Sequence, residues 1–302
     1  MIVSQLTYPD GYQTEVMHVQ AEQSIGKIFM FHGMLEHHER YIEFAQFMAD
    51  NGYDVFVCDL RGAGTSAHDQ QSYGHLAPGD GFQQLVEDAR YLIDRYEDGR
   101  PTYVLGHSFG SLLARRLGQI MGHALAGLIV VAPPPHPGVA GEVGHRLIAT
   151  VMKRKGATHQ SRFFERLLFG RYNLKYLPAR TDSDWLSSVP DEVDSYLADP
   201  NCGGLPSLGF LHEVTRASLD VTTAARIHEH PKSLSVLFVA GVDDPVTHDG
   251  EGLNGIIKKY RNADVELAVV TYDNARHEIL REAHREQVWS DILTWMKQNR
   301  IH

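Results

Sequence analysis

Apolar residues fall along the chain in two periods. Short apolar-rich runs at 26–31, 53–58, 102–105, 127–132, 234–240 and 265–272 are bounded by glycine, proline or polar clusters and predict buried β-strands. Between them apolar positions recur every three to four residues. Phe82, Leu85, Val86, Ala89, Leu92, Ile93 and Tyr96 form the cleanest such stripe, the mark of an amphipathic helix packed on one face. A second helix is predicted over 42–51, with Ile42, Phe44, Ala45, Phe47 and Met48 facing inward and Gly52 ending it. Others are predicted from 111 onward, over 251–260, and around Val288, Ile292, Trp295 and Met296. Near the start, 1–9 and 13–20 read as two strands of an antiparallel hairpin around Asp10-Gly11. Strands alternating with helices imply a mostly parallel, doubly wound α/β sheet.

From about 134 to 230 the strand signal stops. Pro133-Pro134-Pro135 ends the preceding run, and short helical stretches such as Leu147-Ile148…Val151-Met152 and Phe163-Phe164…Leu167-Leu168 take over. The expectation is one α/β core built from 1–133 and 231–302, interrupted by a helical insertion at 134–230. A chain of 302 residues is long enough to bury such a core.

Composition narrows the chemistry. A net charge of −10 argues against a nucleic-acid partner. No run is apolar and long enough to span a membrane, and no basic-then-apolar leader opens the chain, so a cytoplasmic location is expected. Two cysteines, Cys58 and Cys202, are too few for a disulfide framework, and Cys58 reads as a small buried residue of a strand. Eighteen histidines are present, yet no H-E-x-x-H and no C-x-x-C, so neither a metal nor an organic cofactor is expected. Charge is unevenly spread: nine Lys or Arg against two Glu at 141–180, and six acids with no base at 181–200. The basic segment reads either as a solvated face balanced by the acidic one, or as a surface for peripheral contact with anionic lipid.

The strand at 102–105 leads into Gly106-His107-Ser108-Phe109-Gly110, which fits G-x-S-x-G, and a helix follows. A serine hydroxyl is a weak nucleophile until it is held in the open beside a base. A sharp strand-to-helix turn presents Ser108, and the glycines let neighbouring backbone pass close. The Phe109 amide then lies at a helix N-terminus, where an oxyanion would be stabilised. Three other suggestive stretches also follow strands: His32 to Leu35, Gly241-Val-Asp-Asp-Pro-Val246, and Tyr272-Asp-Asn-Ala-Arg-His277-Glu278. In open α/β sheets ligands bind at the carboxyl ends of strands. Serine, aspartate and histidine follow in the chain order of an α/β-hydrolase, which makes His277 the candidate base.

The motifs resemble those of one family. His32-Gly-Met-Leu-Glu-His-His-Glu-Arg40-Tyr41 resembles H-G-x-x-E-H-x-x-R-Y, and Asp59-Leu-Arg-Gly-Ala-Gly-Thr-Ser66 resembles D-x-R-G-H-G-x-S. Tyr73-Gly-His75, Gly106 to Ser111, Tyr196 to Gly203, Gly241 to Val246 and Arg276-His277-Glu278 continue the match over nearly the whole chain. Together they resemble α/β-hydrolases of the monoacylglycerol lipase and lysophospholipase branch, also described as serine aminopeptidase-like. Ala63 stands where the family has histidine, and Phe109 where it has methionine.

The resemblance implies an α/β-hydrolase fold with a helical cap, and a serine esterase acting on a small lipid-like ester without a cofactor. It implies a Ser108, Asp244 and His277 triad; the family's G-x-x-D-P-V selects Asp244, with Asp243 as its competitor. The backbone amides of Met34 and Phe109 would form the oxyanion hole. Glu36 with Arg40 reads as a loop-bracing ion pair, and His32 and His107 as packing and loop-bonding residues. A peptidase or another ester or C–C hydrolase on the same triad is the alternative, as is a non-catalytic binding module on the same fold.

Overall fold

Eight strands form one sheet in a computed structural model that describes residues 1–247 and 250–299; residues 248–249 and 300–302 of the expected core segments lie outside the described residues. The chain runs β1 (Ile2–Thr7), β2 (Gln13–Val19), β3 (Gly26–Phe31), α1 (Ile42–Asp50), β4 (Tyr53–Cys58), α2 (Gly64–Asp69), α3 (Gly81–Arg95), β5 (Thr102–His107), α4 (Phe109–Met121) and β6 (Gly127–Val131). Helices α5 (Gly138–Lys155), α6 (Arg162–Phe169), α7 (Pro190–Ala198), α8 (Leu208–Val221) and α9 (Ala224–Ile227) follow, then β7 (Val236–Gly241), α10 (Glu251–Asn262), β8 (Leu267–Tyr272) and α11 (Arg285–Gln298).

The strand order is β1-β2-β4-β3-β5-β6-β7-β8. Only the pairings of β2 with β1 and β4 are antiparallel. Strands β3 to β7 are buried along their whole length, as continuous apolar runs on a sheet covered on both faces require. Alternation sorts their side chains: Phe29, Phe31, Val104 and Phe238 pack with α3, α4 and α10, while Ile28, Met30, Leu105 and Val239 pack with α1 and α11. This is the α/β-hydrolase fold, mostly parallel and doubly wound, with helical residues between β6 and β7.

Register puts the strand ends level. Phe31 pairs with Gly106, His107 with Val131, Val131 with Val239, and Gly241 with Tyr272. The loops after β3, β5, β7 and β8 therefore open on one edge. Strand β5 runs two residues past the expected Leu105, because Gly106 and His107 still pair with β6. Helix α2 and a 3₁₀ turn at His38–Tyr41 carry no periodic signal and were not expected. Between β6 and β7 strand structure is confined to one isolated bridge, Gln160 with Ser207. Ile148, Phe164, Leu208 and Leu211 give these helices a small core of their own. No helix among the described residues is long and apolar enough to cross a membrane.

Candidate active site

Ser108 sits where β5 meets α4, with φ +51° and ψ −115°, a backbone state costly for a residue with a side chain. Close approach holds it there. A Cβ on Gly106 would lie 2.2 Å from the Gly110 carbonyl oxygen, and one on Gly110 2.1 Å from that of Phe31. The Ser108 amide donates to Val131 O at 3.0 Å, and the Ser111 hydroxyl to Ser108 O at 2.5 Å. The turn thus leaves the Ser108 hydroxyl facing the loops after β7 and β8.

Three of the expected residues meet there. Ser108 Oγ lies 2.8 Å from His277 Nε2, and His277 Nδ1 lies 3.1 Å from both carboxylate oxygens of Asp244. Asp244 is fully buried and also accepts the Val246 amide at 2.8 Å. Asp243 turns the other way: its carboxylate accepts Lys175 Nζ at 2.9 Å, and its carbonyl accepts the Tyr176 hydroxyl. Met34 lies in the turn after β3, where Leu35 adopts φ +51° and Gly33 donates its amide to Glu36. Among the described residues neither the Met34 nor the Phe109 amide donates to a protein acceptor. The arrangement can shuttle a proton from Ser108 to His277 with Asp244 holding the imidazole.

A buried network surrounds these groups. Glu36 Oε1 accepts the Tyr41 hydroxyl at 2.7 Å and His107 Nδ1 at 3.2 Å, while Oε2 accepts Arg40 Nε at 3.2 Å. Arg40 also donates to Glu278, and His107 Nε2 donates to the His277 carbonyl at 3.2 Å. Burial alone would raise the Glu36 carboxyl, but the His107 hydrogen bond and the nearby charges outweigh it and hold the group well below its usual range. Burial likewise opposes charge on His107, and Glu36 outweighs it, raising the imidazole. His32 differs: burial lowers its pKa, Nδ1 donates to Gly33 O at 2.7 Å and Nε2 accepts the Leu60 amide at 2.9 Å. The Glu36–Arg40 brace was legible in the sequence; its extension to His107 and Glu278 was not, since separations of 71 and 238 residues leave no local signal.

The helical residues between β6 and β7 lean on the same edge. The Trp185 ring lies 5.1 Å from that of His277 and 5.1 Å from Tyr172. Leu186 O accepts the Glu278 amide at 2.7 Å, and Leu35 O accepts that of Gly203 at 2.7 Å. Trp185 was not singled out in the sequence, because aromatic residues scatter through the segment without a motif. Two sets of metal-ligating side chains occur among the described residues, His37 with Asp199 and Cys202, and Glu15 with His38 and Asp59. In each the histidine already bonds the aspartate, at 2.7 and 3.0 Å. Burial pushes the Cys58 thiol up to about 12, so it stays protonated and inert.

Residues 22–284 match the family model described as serine aminopeptidase, S33. An abhydrolase domain-containing protein of Dictyostelium discoideum is 25% identical over 280 residues, 91% of this chain but 26% of that protein. The chain thus spans about a quarter of that relative. Human monoglyceride lipase is 26% identical over 289 residues, covering 90% of this chain and 82% of the lipase. The solved structure of a thermostable carboxyl esterase from Bacillus coagulans superposes with a TM-score of 0.91 over the full length of both chains at 22% identity.

Proposed function

The chain belongs to the serine aminopeptidase S33 family, a group of α/β-hydrolases related to monoacylglycerol lipase and lysophospholipase-like esterases, and from that premise we propose that it cleaves carboxylic esters of small lipids. Its substrate class is monoacylglycerol or lysophospholipid. The observation that carries the reading is the unbroken hydrogen-bonded chain from Ser108 through His277 to Asp244 at a strained turn.

Ser108 Oγ attacks the ester carbonyl carbon while His277 Nε2 takes its proton. Asp244 holds the opposite nitrogen and stabilises the imidazolium. The carbonyl oxygen, gaining charge, is met by the amides of Met34 and Phe109; one such donor is worth about 2.7–4 kcal/mol of barrier. His277 returns the proton to the leaving alcohol, then deprotonates the water that releases the fatty acid and frees Ser108. Residues 134–230 act as a lid, with Trp185 and Tyr172 walling the acyl site. The exposed apolar side chains Val139, Val143 and Leu147 of α5, whose last turn carries exposed Lys153 and Arg154, and Phe163 of α6 rest on the lipid surface that supplies substrate.

A peptidase reading is weaker. An aminopeptidase needs an unengaged anion for the substrate's amino group. Glu36 and Glu278, the acids flanking His107 and His277, are both held by Arg40. The test is reaction with a fluorophosphonate probe, beside Ser108→Ala. Labelling of the wild type alone is expected, followed by turnover of monoacylglycerol or lysophospholipid in preference to an aminoacyl nitroanilide. Absence of labelling while a control hydrolase reacts would end the esterase reading in favour of a binding module.

A further inference from the structure

A cavity of about 350 Å³ lies apart from Ser108, between the start of the helical segment at Pro135 and His136, the end of α8 at Thr222, and the first turns of α10. None of Met34, Ser108, Phe109, Asp244 and His277 lines it. Arg115 does, seven residues or about 10 Å of helix beyond Ser108. Among the described residues it is the largest fully buried side chain. A guanidinium taken out of water is costly unless paired, and among the described residues Arg115 has no carboxylate partner. Its Nε donates to the Tyr260 hydroxyl at 3.2 Å and its Nη1 to the Pro134 carbonyl at 3.4 Å, while buried Nη2 has no acceptor among the described residues.

A second cation faces the same space. Lys259 is half-buried and donates to the Thr222 carbonyl at 3.0 Å, again with no carboxylate partner among the described residues. Burial first, then Arg115, pushes its pKa down, the response of a cation short of a counter-charge. Burial also lowers His136, leaving a neutral ring in the wall. Glu251 is exposed at the rim, where water screens its opposition.

We propose that this cavity binds a small anion, a phosphate or carboxylate group, between the Arg115 guanidinium and the Lys259 ammonium. Arg115 supplies its one unengaged nitrogen, Nη2, as a charged donor, and Lys259 a point charge. The position gives the anion a consequence. Arg115 already holds the start of the helical segment through Pro134, and Lys259 holds the end of α8 through Thr222. An anion bridging the two cations clamps both points to α4 and α10, so its binding stiffens the segment that covers Ser108.

The test titrates the intact protein with inorganic phosphate and, separately, with acetate, at ionic strength held constant with chloride. Thermal midpoint and calorimetric heat are read for wild type, Lys259→Gln and Arg115→Met. A saturable rise with phosphate or acetate, weakened about tenfold in Lys259→Gln, is expected for loss of one charge-assisted contact. Preference between the two salts tells a phosphate site from a carboxylate site. Arg115→Met removes a packed side chain and can fail to fold, so Lys259→Gln carries the test alone. Saturation unchanged in Lys259→Gln, or no saturable response to either anion beyond chloride, overturns the proposal.

Discussion

Asp243 and Asp244 share a side chain and a loop but not an environment. Asp244 is sealed against His277 and the Val246 amide, whereas Asp243 is part-exposed and engaged by Lys175. An acid that fixes a histidine tautomer has to be the buried one, since water would compete for an exposed carboxylate. Asp244→Asn is therefore expected to lower kcat on a nitrophenyl ester by about 10⁴, and Asp243→Asn to leave it within about twofold. Equal losses in the two variants would refute this division. The Glu36–His107 pair makes a second claim at this scale. His107, raised, contributes stability that is complete below its unfolded pKa and lost as pH climbs through the folded one. Glu36, lowered, contributes stability that is present above its unfolded pKa and lost as pH falls through the folded one. Both act in full between about pH 4.3 and 6.5. Urea midpoints of the wild type should fall more steeply above that window than those of Glu36→Gln; parallel curves would show that the pair does not titrate.

Elements differ in how far local sequence dictates them. The core strands were legible because each is dominated by a short run of apolar residues, and burying one such large side chain is worth about 1.5–3 kcal/mol. Helix α2 and the 3₁₀ turn at His38–Tyr41 were not. Each is too short to show a period, and the turn is fixed instead by the His38 amide donating to buried Asp59 at 2.7 Å. Helix α5 illustrates a third case. It runs 18 residues but buries only Ile148 fully, so its pattern gave a short helical stretch rather than a long helix. Val139, Val143 and Leu147 follow one another at four-residue steps on its exposed side, at 77%, 59% and 42% exposure. A stripe of that kind on a helix whose last turn carries Lys153 and Arg154 suits an anionic interface. Co-sedimentation with phosphatidylglycerol vesicles should weaken about tenfold in the Val139→Ser, Val143→Ser double variant. Equal pelleting of variant and wild type, or no preference for anionic over zwitterionic vesicles, would leave α5 as an ordinary solvated face.

At the scale of the molecule, the candidate site gathers residues from 34 to 277; position just after a strand drew attention to each stretch, while the choice of Asp244 over Asp243 and the role of the Met34 amide came from the family resemblance. The parts that were not legible are those whose partners lie across the fold: Arg40 on Glu278, and Trp185 on His277. The second contact belongs to the helical segment between β6 and β7. That segment is pinned beside the site by two backbone bonds, Leu186 to Glu278 and Gly203 to Leu35, and by the side-chain pair of Arg281 with Glu192 at 2.5 Å. If the segment acts as the proposed lid, the indole and the Tyr172 ring beside His277 would shape the space an acyl chain enters as well as exclude water from it. The two roles separate by chain length. If Trp185 packs against the acyl chain, Trp185→Ala should cut kcat/KM for a dodecanoyl ester about tenfold or more, because contacts along the chain are lost, and should cut it far less for an acetyl ester, which does not extend along that wall. If Trp185 only steadies His277, both esters should suffer alike. The ratio of the two losses, measured on the same two protein preparations, cancels differences in folded fraction and reads the acyl contact directly.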